Sequence, residues 1–274
     1  MMLADQRRTL IADEIRRRGA VRVSELTARL GVSDMTIRRD LDVLAGSGLI
    51  EKVHGGATAR VRQSTDEPGF EAKSDRQFRE KEAIAQAARG LVEPGQAIAL
   101  GAGTTTWRLA HHLLGVPELT VVTNSIEVAT VLHRAPRHGL TVVLTGGVRT
   151  PSDALVGPVA VSALRSLHVD VLFTGVHGMT EDAGFSTPNL LEAETNWALI
   201  SCAERVVVIA DHTKWGVRGL SRFASLDEAD VLISDSGLEP EARAVLADHI
   251  DQVVVAPGRN RRRTTRPGDD DGAP

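Results

Sequence analysis

The stretch VSELTARLGVSDMTIRRDLDVLAGSGLIEKVHGGAT, residues Val23 to Thr58, decides the reading of this chain. Ser24 is placed to cap a helix that runs to Leu30, where Gly31 breaks it. Ser33 caps a further helix over Asp34–Ala45, whose Ile37, Leu41 and Leu44 share one face. Met35, Thr36, Arg38 and Arg39 then point elsewhere. Upstream, Leu10, Ile11 and Ile15 recur at helical spacing over Asp5–Arg18, with Arg16, Arg17 and Arg18 in the last turn and Gly19 as the stop. Downstream, two short extended runs, Gly48–His54 and Ala57–Val61, flank a Gly55-Gly56 turn and predict a hairpin. Two short helices, a glycine turn, a third helix with paired arginines and a hairpin make a winged helix-turn-helix.

That layout has a chemistry. Arg38 and Arg39 can contact phosphates or reach guanine O6 and N7 in the major groove. Ser33 and Thr36, at the start of the same helix, can contact base edges or phosphate. Lys52 and His54 on the wing would lie near the backbone or minor groove. The expected partner is double-stranded operator DNA. A plain three-helix bundle with a solvated arginine pair is the alternative, and it leaves the hairpin unexplained.

The rest of the chain bounds the answer. It has 274 residues, 42% hydrophobic and 25% charged, enough for a sizeable core in one or two domains. Aromatics are 3% with no tyrosine, which argues against a stacking platform for single strands. The lone Cys202 excludes a disulfide framework and a cysteine-based zinc site. No apolar run approaches the ~18 residues of a membrane span, and Met1–Arg18 lacks the apolar centre of a secretory signal. The expectation is a cytoplasmic protein with no membrane partner. The net charge of −4 hides a split: residues 1–62 hold 12 Lys+Arg against 8 Asp+Glu, and the remainder 20 against 28. A basic head on an acidic body suits a DNA-binding domain joined to a different one. The expected division is a head over 1–60, a polar linker over 61–75, a body over 76–256 and a disordered Arg-then-Asp tail over 257–274.

The body alternates strand and helix. Strands are expected at Ala97–Leu100, Leu119–Thr123, Leu140–Thr145, Val169–Thr174, Arg205–Ala210, Val231–Ser234 and Gln252–Val255. Helices are expected at Arg76–Val92, Trp107–Leu114, Ile126–Arg134 and Asn189–Ala203. This predicts a mostly parallel α/β sheet with ligands at the carboxyl ends of its strands. Those ends carry Gly101-Ala-Gly103-Thr104-Thr105-Thr106, then Thr123-Asn124-Ser125, then Gly146-Gly147, then Asp211-His-Thr-Lys214. Glycine lets backbone approach an anion, and a helix N-terminus offers N–H groups. The four ends together read as one polar, anion-tolerant pocket. Neither a Walker loop nor a dinucleotide fingerprint is present. Adjacent His111 and His112 point apart on a helix, and His133 and His138 lack ligand spacing, so neither a metal nor any other cofactor is expected.

The stretch VSDMTIRRDL followed by GLIEKVHGGA resembles the DNA-binding segment of DeoR-family bacterial repressors. The body resembles that family's sensor domain through GAGTTT, VVTNS, LTGG, Gly157-Pro158, HVDVLFTGVHG and ADHTKWG, in family order. The family's sensor is similar in fold to ribose-5-phosphate isomerase and glucosamine-6-phosphate deaminase. The resemblance implies a phosphorylated sugar effector. Gly103, Thr104 and Thr105 would hold its phosphate, Thr123, Asn124 and Ser125 would line the sugar, and Asp170 and Lys214 would face it, with Arg149 nearby. His177 and Glu192 stay open. A homo-oligomer is expected, because one winged helix buries a small interface and gains by pairing half-sites.

The competing reading is a sugar-phosphate isomerase fused to a DNA-binding head, with Glu192 and Lys214 as base and carbonyl-polarising group. Against it, Val176-His177 stand where the isomerase relatives carry an acidic loop. That fits a pocket that binds without turnover.

Overall fold

The computed structural model describes residues 3–18, 20–46, 50–53, 55–59, 67, 69–134 and 139–257. The chain divides into two compact units, 1–63 and 64–274.

The first unit begins with α1 (Ala4–Arg18), β1 (Ala20–Arg22), α2 (Val23–Leu30) and α3 (Asp34–Gly46), followed by β2 (Ile50–Val53) and β3 (Gly56–Ala59). Ile11, Ile15, Leu26, Ile37, Leu41 and Leu44 are buried together, as the helical periodicity requires. The wing has three strands, in the order β1-β3-β2, all antiparallel. The short β1 was not expected from the sequence. It lies so close to β3 that a Cβ on Gly56 would stand 2.2 Å from the Val21 carbonyl oxygen, so glycine is required there. Asp40 is buried on α3 and ties it to α1, accepting from Arg7 at 2.6 Å and Arg8 at 3.2 Å. The second helix starts at Val23 rather than after a Ser24 cap, with Arg22 at its N-cap.

The second unit opens with α4 (Phe70–Ser74), inside the stretch expected to be linker, and α5 (Phe78–Arg89). Then follow β4 (Ala97–Leu100), α6 (Thr104–His112), β5 (Thr120–Thr123), α7 (Ile126–His133), β6 (Thr141–Leu144), β7 (Val148–Arg149), β8 (Leu155–Val156), α8 (Pro158–Leu164) and β9 (Val169–Thr174). After these come β10 (Gly178–Thr180), β11 (Gly184–Thr187), α9 (Leu190–Ser201), β12 (Ala203–Ile209), β13 (Ser221–Ala224), β14 (Val231–Asp235), α10 (Pro240–Ala247) and β15 (Gln252–Ala256). Seven strands form one parallel sheet in the order β15-β14-β12-β9-β4-β5-β6. Side chains alternate between two buried layers: Ile98 and Leu100 face one, Ala99 the other, and Val207 and Ile209 oppose Val206 and Val208. Apolar residues on both faces are what a parallel sheet covered by helices demands. A small antiparallel sheet, β10-β11-β13, and the β7–β8 hairpin are additions that the sequence pattern did not reveal.

The strand order matters for function. The chain winds outward from β4 to β6, then returns and winds the other way from β9, so β4 and β9 are neighbours with opposite onward paths. The crevice at the carboxyl ends of such a pair is where open α/β sheets bind ligands. No helix among the described residues is long and apolar enough to cross a membrane. Of the stretch 257–274, expected to be a disordered tail, residues 258–274 lie outside the described residues.

Candidate functional site: a DNA-reading helix and a lysine-lined cavity

In the first unit α3 presents two faces. Ile37, Leu41 and Leu44 are buried, while Arg38 and Arg39 are exposed and Met35 is 80% exposed. Ser33 and Thr36 meet at the helix start: their hydroxyls are 2.9 Å apart, and Thr36 N donates to Ser33 Oγ at 3.3 Å. Arg38 pairs with Asp34 one turn back at 3.3 Å. Exposed pairs of this kind are worth little, so the guanidinium can be released to a phosphate or base at small cost. Lys52 of β2 pairs with Asp42, setting the wing's cation beside the outer side of α3. His54 lies outside the described residues.

In the second unit a cavity opens where the strand order reverses. Its walls are Gly103–Thr105 after β4, Gly175–His177 after β9, and Ala210 and Lys214 after β12. Thr187, Glu192 and Asn196 close it from the α9 side. Thr104 and Thr105 form the first turn of α6, so the helix's positive end faces the cavity. Glu67, Phe70 and Lys73 cover it from the strap that precedes α5.

That strap is held at several points. Phe70 N donates to Pro151 O at 3.2 Å, and its ring packs edge-on against Trp107 at 5.8 Å. Lys73 Nζ donates to Ser152 Oγ at 2.8 Å, and Asn189 Nδ2 to Glu67 Oε2 at 3.0 Å. Lys81 of α5 reaches back to donate to Lys73 O at 2.6 Å, and Arg108 donates to Ser74 O at 3.3 Å.

The electrostatics are unusual for so buried a place. Burial pushes the Lys73 ammonium below its ordinary value. Burial also pushes Lys81 down to about 8, helped by the cations of Lys214, Arg108 and Lys73 and opposed by Asp211. Burial raises the Glu192 carboxyl, against the bonds it accepts from Thr187 at 2.9 Å and Thr150 at 3.0 Å. Three lysines share the cavity with two acids, Glu67 and Glu192, and the perturbed Lys73, Lys81 and Glu192 among them are of the kind that marks a binding site.

Comparison with known proteins bears on both parts. The model of the DeoR C terminal sensor domain matches residues 76–236, and that of the DeoR-like helix-turn-helix domain matches residues 7–63. The chain belongs to the DeoR family of transcriptional regulators. It is similar to the lactose phosphotransferase system repressor of Streptococcus mutans, 34% identical over 85% of this chain and 93% of that one. It is also similar to the HTH-type transcriptional regulator GlpR of Haloferax volcanii, 36% identical over 88% and 94%. Among solved structures, ribose 5-phosphate isomerase A of Methanocaldococcus jannaschii covers 51% of this chain and 55% of its own, at 19% identity and a TM-score of 0.37. No activity follows from so distant a likeness.

In this DeoR-family chain only part of the expected effector set meets at the cavity: Gly103, Thr104, Thr105 and Lys214. Thr123, Asn124 and Ser125 are buried behind it as scaffold. Thr123 Oγ1 donates to Leu100 O at 2.7 Å, Asn124 Oδ1 accepts from Ala102 N at 2.9 Å, and Ser125 Oγ caps α7. They shape the loop and do not line this cavity. Thr106 is turned inward, donating to Gly103 O at 2.8 Å, and Gly101 sits against Thr174, where a Cβ would meet its Oγ1 at 2.9 Å. Gly146 and Gly147 serve the β7–β8 hairpin; a side chain on Gly147 would strike Val156 O at 2.6 Å. Arg149 is exposed and paired with Asp153. Asp170, the second residue of β9, lies at the amino end of the strands, where Oδ2 accepts from Ala97 N at 2.8 Å. It is a strand cap, far along the strand from the carboxyl-end cavity.

The sequence reading passed over Lys73, Lys81, Glu67, Ser152 and Asn196. A signal for two of them stood in the composition: of 32 basic residues only four are lysines, Lys52, Lys73, Lys81 and Lys214, and three of the four line this cavity.

Proposed function

We propose that this protein is a DNA-binding repressor of sugar-metabolism genes whose operator affinity is set by a phosphorylated sugar in the second unit. The observation that carries the reading is the convergence of Lys73, Lys81, Lys214 and the α6 N-terminus on one enclosed cavity. Three lysines and a helix N-terminus favour a phosphate dianion through charge-assisted hydrogen bonds between opposite charges that a neutral sugar cannot form. Glu192 and Asn196 supply the acceptors and donors that sugar hydroxyls need. The name of the Streptococcus mutans relative, a repressor of a lactose phosphotransferase system, supports the repressor of sugar genes.

The strap gives the ligand a route to the DNA-binding unit. Residues 64–74 follow it directly in the chain, and Glu67, Phe70 and Lys73 line the cavity. An anion that draws Lys81 or Lys73 alters how the strap is seated, and only such a differential interaction can shift DNA affinity. Pairing of protomers completes the operator complex. Support for pairing lies at the β6 edge of the sheet, where Leu144, Val148 and Val159 are exposed.

We infer no turnover, because the loop after β9 offers Val176 and His177 in place of an acid. The test is a gel-shift titration of promoter DNA from neighbouring sugar genes against a panel of sugar phosphates. A change in affinity with one member supports the reading. No response to any, with DNA binding intact, contradicts it.

A further inference from the structure

The chain carries 28 arginines and four lysines. Lys52 is exposed on the wing, and the other three lysines line one cavity. Arginine serves wherever else this protein uses a cation. Were the cavity to need only positive charge and donors, arginine would suit better, since its planar fork matches phosphate bidentately. What lysine offers and arginine does not is an amine that can lose its proton.

Lys81 is placed to use that property. It is 3% exposed, lines the cavity, and donates one bond, to Lys73 O. Burial pushes its ammonium down to about 8, which brings the uncharged amine within reach near neutral pH. Such an amine donates one hydrogen and keeps its lone pair.

We propose that Lys81 captures the open-chain carbonyl of an aldose or ketose phosphate as a reversible imine, which rests on the phosphate-binding reading of this cavity. The Nζ lone pair forms the N–C bond while the carbonyl π pair moves to oxygen, which takes a proton and gives a carbinolamine. Nitrogen loses a proton, the hydroxyl is protonated and departs as water, and C=N forms. Amine plus carbonyl gives imine plus water, with no oxidant or reductant. Glu192, whose carboxyl burial pushes above its ordinary value, lines the same cavity and can pass the proton. Imine formation removes hydrogens from Nζ, so the bond to Lys73 O weakens and the strap feels the capture. A phosphate alone makes a smaller demand on that bond.

The test uses the full chain with two probes that share a phosphate: glyceraldehyde 3-phosphate, which has a carbonyl, and glycerol 3-phosphate, which does not. Each is incubated with sodium cyanoborohydride, and the protein is mapped by peptide mass spectrometry alongside its thermal melt. The expected result is a reduced adduct at Lys81 with the aldehyde, about tenfold or more above that at exposed Lys52, suppressed by excess glycerol 3-phosphate. Lys81→Arg, checked for a cooperative melt, should give no such adduct. Stabilisation by both probes without Lys81 labelling above the Lys52 level overturns the imine and leaves phosphate binding standing. Labelling concentrated at Lys73 or Lys214 overturns the assignment to Lys81. Neither stabilisation nor labelling overturns this proposal and the phosphate reading together.

Discussion

The side-chain nitrogen of Lys81 lies 2.6 Å from the backbone carbonyl oxygen of Lys73. One bond thus joins a cavity-lining cation to the strap that leads from the DNA-binding unit. An anion in the cavity competes with that carbonyl for Lys81. The expected consequence is a change in amide hydrogen exchange over Glu71–Ser74 when a sugar phosphate binds, beyond any change at the sheet. Exchange that alters around β4 and β12 but not in the strap would remove the strap from the coupling route.

Arg38→Ala and Arg39→Ala should each weaken operator binding by roughly 1–3 kcal/mol if both side chains read bases. Both are exposed, so the thermal melt should not move. Gel-shift affinities unchanged in both variants would take α3 out of the major groove.

Asp40 is the opposite case. It is buried, and Arg7, at 11% side-chain exposure, depends on it. Removing it in Asp40→Ala strands a buried guanidinium and should cost the first unit about 3 kcal/mol. Urea unfolding followed by circular dichroism measures this. A loss under about 0.5 kcal/mol would mean the pair behaves as a surface pair.

How far the sequence carried these conclusions differs by element. Helix α3 was legible because Ile37, Leu41 and Leu44 keep the helical period and Ser33 caps the start. Strand β1 was not, since three residues have too little pattern and its partner β3 is distant in sequence. The start of α6 was read as loop because Thr104–Thr106 is a β-branched run of low helix propensity, and packing against the sheet overrode it. Asp170 was a ligand candidate through the family resemblance, although the expected strand Val169–Thr174 already put it at the amino end; its bond to Ala97 N gives it a structural role there. Lys73 and Lys81 precede the GAGTTT loop by twenty or more residues, and no local pattern ties them to it. The packing of α5 does.

His212 and Asp235 set a pH dependence beside Lys214. His212 Nδ1 and Asp235 Oδ2 are 2.8 Å apart, and Asp235 also accepts from the His212 and Gly237 backbone N–H groups. The Asp235 bond raises His212 above 6.5, with burial opposing it and Asp211 and Glu80 adding to the rise. Burial would raise Asp235, but the bonds it accepts outweigh this and hold it below 3.8. A raised histidine stabilises fully below its unfolded value of 6.5, and that contribution fades as pH climbs through the folded value. A lowered aspartate stabilises above 3.8 and loses its contribution as pH falls through its folded value. The pair's contribution therefore declines from pH 6.5 upward, so relative to Asp235→Asn the parent chain should lose stability between pH 6 and 8. Urea midpoints at pH 6, 7 and 8 decide it; identical slopes in the two proteins would refute the pair's role.

The central claim is that a phosphate group is what this cavity recognises. Isothermal titration of matched sugars and sugar phosphates into the full chain and into Lys214→Ala measures it most directly. For the cognate pair the phosphorylated form should bind at least about tenfold tighter, a difference of about 1.4 kcal/mol, and Lys214→Ala should erase most of that preference. Equal affinity for the two forms, or a preference that survives the loss of Lys214, would contradict the account.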